Sequence, residues 1–211
     1  LLLALLFAAL AIPLSIVARG PGVLPGDVAI AHAVQAPQWP WLDPLAQALT
    51  TLGRAWPGET PLAIVVVVLI AIAGARRDAA FVAVAAIAGA INVGTKLLIA
   101  SPRPTAPLVT IVEVANGNGF PSGHAFGATL FYGAIWLALP AVAPNPAVRR
   151  LLRIAAVAVA FGICWSRVRL GAHWPSDVLG GILWGLALLS VLTAIFLPGS
   201  FSPRAAGPAS G

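Results

Sequence analysis

The chain predicts an all-α fold: a polytopic membrane protein built as a six-transmembrane-helix bundle with an interfacial helix in its first long loop. Three observations carry this. Hydrophobic residues fill 60% of the 211 positions and charged ones 9%, for a mean hydropathy of +0.97. The apolar residues fall in runs approaching the roughly 20 that a helix needs to cross a bilayer about 30 Å thick. Those runs are continuous and rich in Ala, Leu and Val, without the alternation over segments of about ten residues that marks barrel strands.

The first span is expected at about 1–18, within "LLLALLFAALAIPLSIVARG". A signal-peptide core is the alternative for this segment. Its length and the lack of an obvious small-x-small cleavage site favour a retained helix, and the absence of Met suggests that the native start is missing. A long polar interruption follows at 19–60. Inside it, "WPWLDPLAQALTTLG" (39–53) pairs Trp39 and Trp41 with an amphipathic pattern, which suits a helix lying in the membrane interface; a loop with aromatic anchors is the plainer reading. Spans two and three are expected at about 61–75 and 79–100, separated only by residues 76–78. A second long interruption, 101–123, precedes span four at about 124–143. Spans five and six follow at about 151–165 and 178–197, several of the six being short enough to need flanking residues. No repeat or compositional break divides the chain, so residues 1–200 read as one domain, and "GSFSPRAAGPASG" leaves 201–211 as a disordered tail.

The formal charge of +6 and pI near 11.4 would suggest nucleic acid in a soluble protein. Here the charges are few and sit at helix ends, so no nucleic-acid partner is expected. Arg76, Arg77, Arg149, Arg150, Arg153 and Arg204 fall on one side by parity, and Arg19, Arg54, Lys96, Arg103, Arg167 and Arg169 on the other. Six against six is a tie under the positive-inside rule. Cys164 stands alone in an apolar run and reads as a packing residue, which excludes a disulfide or thiolate metal site within one chain. The sequence carries no signal for oligomeric state.

Ionisable residues at membrane depth are costly and usually functional. They cluster in three strings on one side: "KLLIASPRP" with Lys96 and Arg103, "PSGH" at 121–124, and "SRVRLGAHWPSD" with Ser166, Arg167, His173 and Asp177. Lys96, Arg103 and Arg167 supply three positive charges, two of them forked donors suited to tetrahedral oxyanions, and phosphate is the obvious guest. Ser122 and Gly123 add a hydroxyl and backbone N–H groups at a helix start that favours an anion. His173 and Asp177, four apart, would share a face of a helical turn, the carboxylate orienting one ring nitrogen and leaving the other nucleophilic. His124 is then the natural acid for the departing oxygen and the later base for water. Taken singly, each element has a plainer reading: a snorkelling anchor, a satisfied structural histidine, a local hydrogen bond. A metal site is not expected, because three cations would repel the ion and no carboxylate cluster compensates.

Together, in this order, the strings resemble the signature of the type 2 phosphatidic acid phosphatase superfamily: K-x6-R-P, P-S-G-H and S-R-x5-H-x3-D. All eleven specified positions match: Lys96, Arg103, Pro104, Pro121, Ser122, Gly123, His124, Ser166, Arg167, His173 and Asp177. The six-helix reading is similar to the membrane branch of that family. The resemblance implies that His173 becomes phosphorylated, Asp177 orients it and His124 protonates the leaving group. It further implies that Lys96, Arg103, Ser122, Gly123 and Arg167 hold the phosphate oxygens, with no metal or other cofactor. Arg169 lies at an unspecified position, where a phosphate or headgroup contact and a simple interface anchor are equally open.

A chemical reason for Lys96, Arg103 and Arg167 breaks the charge tie, leaving six basic residues against three and placing the active site on the extracytoplasmic side of a bacterial inner membrane. The function expected is hydrolysis of the terminal phosphate of a lipid phosphate or diphosphate, such as phosphatidic acid, phosphatidylglycerol phosphate or undecaprenyl diphosphate, through a phosphohistidine. The partners are then the lipid substrate and the bilayer. Phosphotransfer to a hydroxyl acceptor is the enzymatic alternative, with the 101–123 loop and Glu113 as the place for an acceptor pocket. A haloperoxidase suits the membrane setting poorly. A transporter would want charges at mid-span, where Asn92 is the main polar residue, and an inactive scaffold would be expected to have lost a histidine.

Overall fold

The structure, a computed structural model, describes residues 1–20 and 23–198; the predicted tail at 201–211 lies outside them. Every regular element among the described residues is helical. The elements are α1 (Leu2–Ala18), α2 (Asp27–Gln35), α3 (Leu42–Leu52), a π-turn (Ala55–Glu59), α4 (Thr60–Ile72), α5 (Arg76–Ala88), a 3-10 turn (Gly89–Ile91), α6 (Asn92–Ile99), α7 (Gly123–Val142), α8 (Pro146–Arg169) and α9 (Pro175–Phe196).

Four of these helical stretches are long and apolar enough to cross a bilayer: Arg76–Ile99, Gly123–Val142, Pro146–Arg169 and Pro175–Phe196. The pair Leu42–Leu52 and Pro57–Ile72 passes the same test only when taken together, across a 71° bend, and Leu2–Ala18 is a shorter apolar helix. Their outer faces are greasy: Leu2, Ile72, Ile87, Leu98 and Phe161 are each more than 70% exposed. Such a surface would be a liability in water and is what hydrocarbon accepts.

Helix α8 is longer than the 151–165 expected from hydropathy. Its start is moved upstream by Asn145, whose Oδ1 accepts from Ala147 N (2.9 Å) and Val148 N (3.2 Å), and by Pro146 in the first turn. Arg149, Arg150 and Arg153 therefore ride on the helix rather than precede it. The Arg153 guanidinium lies 4.1 Å from the ring centre of Trp136. At the other end Arg167 and Arg169 occupy the last turn, where cations complement the helix dipole.

Helix α7 is the central element, packed against α5, α8 and α9, with α1 lying on α9 and α4 on α5. Its Leu130 and Phe131 share a core with Phe81, Ile163 and Leu189. Helix α9 comes close to the start of α7 at Gly181, where a Cβ would meet Ser122 O at 2.6 Å and the Ala125 Cβ at 2.9 Å, so no larger residue fits. The end of α6, the start of α7, the end of α8 and the start of α9 thus meet at one end of the bundle.

Helix α2 falls in a stretch with no strong hydropathy signal, and it tightens that end. Asp27, 3% exposed, accepts from Ser176 N (2.9 Å), Ser176 Oγ (2.7 Å) and Leu24 N (2.8 Å), pinning the first turn of α9. Gln35 donates to Thr110 O (2.8 Å) and Arg169 O (3.2 Å) and accepts from Thr110 N (3.1 Å), tethering the 101–122 loop.

Candidate active site

His173 lies between α8 and α9, and Asp177 is in the first turn of α9. Their contact therefore comes from the helix start rather than from a shared helical face: Asp177 Oδ2 is 3.1 Å from His173 Nδ1 and also accepts from Trp174 N at 3.1 Å. On the other side of the ring, Nε2 is 3.0 Å from Arg103 Nη1. A guanidinium can only donate, so Nε2 carries the lone pair and Nδ1 the proton that is given to Asp177. Burial holds His173 well below the ordinary imidazole range, and the charges of Arg103, Lys96 and Arg167 push it the same way.

Arg103 is built into its loop by its own donors. Nε donates to Gly117 O (2.9 Å), Nη2 to Asn116 O (3.0 Å) and Nη1 to Ala172 O (2.7 Å). Burial lowers its pKa from the ordinary guanidinium value. Lys96 Nζ donates to Asn118 O (2.8 Å) and Gly119 O (3.1 Å), while Asn118 returns a bond to Lys96 O (2.9 Å). The cations themselves thus tie the first string to the 116–119 segment that precedes the second, and Arg103 ties it to the third at Ala172 and His173.

Helix α7 begins at Gly123, directly after Ser122, so its leading amides have no intrahelical acceptor. Ser122 N donates to Asp177 O (2.9 Å), which joins this turn to α9. Asn92, the deep polar residue of the sequence, donates to Pro121 O at 3.4 Å and so supports the same turn. A Cβ on Gly123 would lie 3.1 Å from Asn92 Nδ2 and 3.8 Å from Lys96 Cε, which places Lys96 beside the helix start.

Arg167 is almost fully buried and comes with partners that sequence reading had not assigned. Nη1 donates to Thr50 Oγ1 and to Glu113 Oε2 (3.1 Å), and Nη2 to Glu113 Oε1 (3.3 Å). Arg54 reaches the same carboxylate at 3.3 Å, so Glu113 bridges two cations. The 101–122 loop brings Glu113 there by pairing Val112 N and Glu113 N with Leu170 O, both at 3.0 Å. Gly171 follows with φ +68, a left-handed turn at which a Cβ would also strike Thr110 O.

His124 makes no hydrogen bond with the other motif residues. Its Nε2 is buried without a protein partner, as are Ser122 Oγ, Arg167 Nε and Asp177 Oδ1. Arg169 is not at the site. It is 4% exposed and donates to Asp43 Oδ1 (2.7 Å), Val34 O (3.3 Å), Gln35 O (3.1 Å) and Pro37 O (2.5 Å), clamping α8 to the end of α2, the start of α3 and the link between them. Of the two roles that the sequence leaves open, these bonds support the anchor: Nε and Nη1 are both engaged by the protein scaffold. Among the described residues no three His, Cys, Asp or Glu side chains group as metal ligands.

Over 78 residues the chain is 40% identical to the lipid A 1-phosphatase of Rhizobium johnstonii, a match taking in 37% of this chain and 28% of that protein. It spans under a third of the length of the lipid A 1-phosphatases it matches. A fuller match is the decaprenylphosphoryl-5-phosphoribose phosphatase of Mycobacterium tuberculosis, 29% identical over 179 residues, covering 81% of this chain and 90% of that one. Among solved structures, the transmembrane PAP2 type phosphatidylglycerolphosphate phosphatase of Bacillus subtilis superposes with a TM-score of 0.81 at 24% identity, covering 92% of this chain and 96% of that one. The LpxE of Aquifex aeolicus gives 0.64 at 20% identity, covering 80% and 95%. These two likenesses are of fold. The family model of the PAP2 superfamily matches residues 78–198, more than half of the chain and the whole of the three-string signature, and with its apolar helices this makes the chain a membrane protein that belongs to the PAP2 superfamily.

Proposed function

We propose that this chain is an integral membrane lipid phosphatase that releases the terminal phosphate of a lipid phosphate or diphosphate through a phosphohistidine. The observation that carries the reading is the position of His173, held by Asp177 at Nδ1 with its Nε2 lone pair turned to Arg103. Nε2 attacks phosphorus, the bond from phosphorus to the lipid oxygen breaks, and His124 gives that oxygen its proton. Water then attacks the phosphohistidine, His124 takes the water's proton, the P–N bond breaks and inorganic phosphate leaves. Lys96, Arg103 and Arg167, with the Ser122 hydroxyl and the amides from Gly123 onward, hold the phosphoryl oxygens as charge builds on them. The reaction needs no metal, since the cations already supply the positive field.

In this reading residues 1–200 form one domain of six crossings: α1, α4, the stretch from α5 to α6, α7, α8 and α9. Helix α3, behind the stacked Trp39 and Trp41 rings 5.4 Å apart, lies in the interface. The site faces the extracytoplasmic side of a bacterial inner membrane, with both termini inside. The lipid A 1-phosphatase and the decaprenylphosphoryl-5-phosphoribose phosphatase that the chain resembles support a phosphorylated lipid as substrate. The test is phosphate release by detergent-solubilised protein in excess EDTA, beside His173→Ala, on phosphatidic acid, phosphatidylglycerol phosphate and undecaprenyl diphosphate. Release by the wild type alone is expected, and no release from any of them would overturn the reading.

A further inference from the structure

One carboxyl lies in the wall of a space that the motif residues only border. A cavity of about 710 Å³ runs between α4, α5 and α7. Most of its wall is apolar, with Ala63, Val67 and Ile87 among the lining, and the ionisable groups it meets are Arg54, Glu59 and His124. His124 is therefore common to the cavity and to the phosphate site. The Glu59 backbone N–H donates to Arg54 O, but its carboxyl enters none of the side-chain hydrogen bonds or ion pairs of the described residues. Its Oε2 rests on α7 at Gly127, where a Cβ would stand 3.1 Å from that oxygen. Gly127 comes three residues after His124, a rise of about 4.5 Å further into the bundle. The carboxyl thus sits roughly one helical turn below the imidazole.

This placement has a chemical consequence if the phosphoryl group is on His173 and the leaving oxygen on His124. The first atoms of the lipid beyond that oxygen must then pass into the cavity and meet Glu59 before they meet hydrocarbon-like wall. A plain alkyl or prenyl chain would press the carboxyl against CH₂ groups and leave it unpaired, which is costly. A hydroxyl carried within a few atoms of the ester oxygen would donate to it instead. Sites built to bond a substrate hydroxyl reject the analogue that lacks one far more strongly than apolar pockets discriminate by size.

We propose that Glu59 is a specificity-determining residue: the cavity between α4, α5 and α7 receives the leaving lipid, and the Glu59 carboxyl, one turn below His124, selects a phosphate ester of a polyol by accepting from a hydroxyl next to the scissile bond. The proposal rests on the lipid phosphatase reading above.

The experiment compares kcat/KM for 1-oleoyl-glycerol 3-phosphate, which has a free hydroxyl beside the phosphorylated carbon, with that for oleyl phosphate, which has none. Wild type is expected to prefer the glycerol ester by about tenfold or more. Glu59→Leu should bring the ratio to within about twofold of one, chiefly by losing the glycerol ester, while Glu59→Gln, which keeps an acceptor oxygen, should retain most of the preference. Should the leucine variant not fold, Gly127→Ala carries the same expectation, since its methyl displaces the carboxyl. Equal losses on both substrates would make Glu59 structural, and an unchanged ratio or a wild type without preference would equally overturn the proposal. A wild type that cleaves neither ester would sink the phosphatase reading and this proposal with it, an outcome distinct from cleavage without preference.

Discussion

Oδ2 of Asp177 stands 3.1 Å from Nδ1 of His173 and 3.1 Å from the amide of Trp174, so one oxygen fixes both an imidazole and the first turn of a helix. Asp177→Asn leaves that place to one end of an amide. Its oxygen there keeps both bonds but carries no charge to steady a phosphorylated imidazole, while its NH₂ there would meet the Trp174 amide and force Nδ1 to accept. Phosphate release is expected to fall by about 10²–10⁴-fold with the fold retained. His173→Ala should abolish release altogether and, with it, any acid-labile phosphoryl label on the protein. Near-wild-type turnover in either variant would remove His173 as the nucleophile.

His124 occupies a different place, buried beside the cavity with Nε2 unpartnered. His124→Ala should slow the phosphorylation step by about 10²–10⁴-fold, the usual share of a positioned acid. Phosphate affinity should change little, because the cations and not this ring hold the oxygens. Single-turnover quench measurements separate the two. Loss of binding with the chemical rate intact would contradict the acid role.

The pH dependence has a definite sign. His173 is held below the ordinary imidazole value, by burial first and then by Arg103, Lys96 and Arg167. A depressed imidazole stays neutral until the pH falls below about 6.5, the value of an unperturbed histidine. The acid limb of kcat/KM, after correction for substrate ionisation, should therefore lie below that value, and Lys96→Gln should move it upward by removing one charge. Linkage gives a second readout: below about pH 6.5 the unfolded chain binds a proton at this histidine that the folded chain does not. Its contribution to stability is thus lost as the pH falls. An acid limb at or above 6.5 would contradict the assigned environment.

Glu113 takes both Nη atoms of Arg167 and one of Arg54, donors that a phosphate would also use. Glu113→Gln should weaken this competition, and inorganic phosphate or vanadate should inhibit about three- to tenfold more tightly. Weaker inhibition would mean that the carboxylate's main task is to hold Arg167 in position. Inhibition constants measured at fixed ionic strength decide between them.

The contrast between Glu113 and the motif residues shows what the sequence could reveal. Lys96, Arg103, His124, His173 and Asp177 are legible because charge is rare in this chain and because their spacing fits one chemistry. The four long apolar helices are legible because hydropathy reads directly as span. Partners such as Thr50 with Arg167, or Asp27 with Ser176, are 117 and 149 residues apart, and no local pattern encodes such a pairing. Helix α2 was silent for a related reason: it is held by Asp27 and Gln35 through bonds to distant loops, not by a long apolar stripe. Glu59 carries no signal in the sequence, because a single acid beside a span belongs to no motif until the fold sets it against Gly127.

Arg169 provides the sharpest separation of scaffold from chemistry, since it lies two residues from Arg167 and carries the same charge. Its four bonds run to Asp43 and to the carbonyls of Val34, Gln35 and Pro37, all of which belong to the segment that packs α2 and α3 against α8. Asp43 is 40% exposed, so the ion pair itself is partly screened and contributes modestly. The carbonyls are the larger loss, because Arg169→Leu would leave buried acceptors without a donor. We expect destabilisation of about 2–4 kcal/mol, read as a lowered unfolding midpoint in detergent. Folded protein should nevertheless show a KM and a phosphate inhibition constant within about twofold of wild type, since the side chain reaches no motif residue. Arg167→Leu should do the opposite, losing phosphate affinity out of proportion to stability. A rise in KM at Arg169→Leu comparable to that at Arg167→Leu would return Arg169 to the site and remove the distinction between the two arginines.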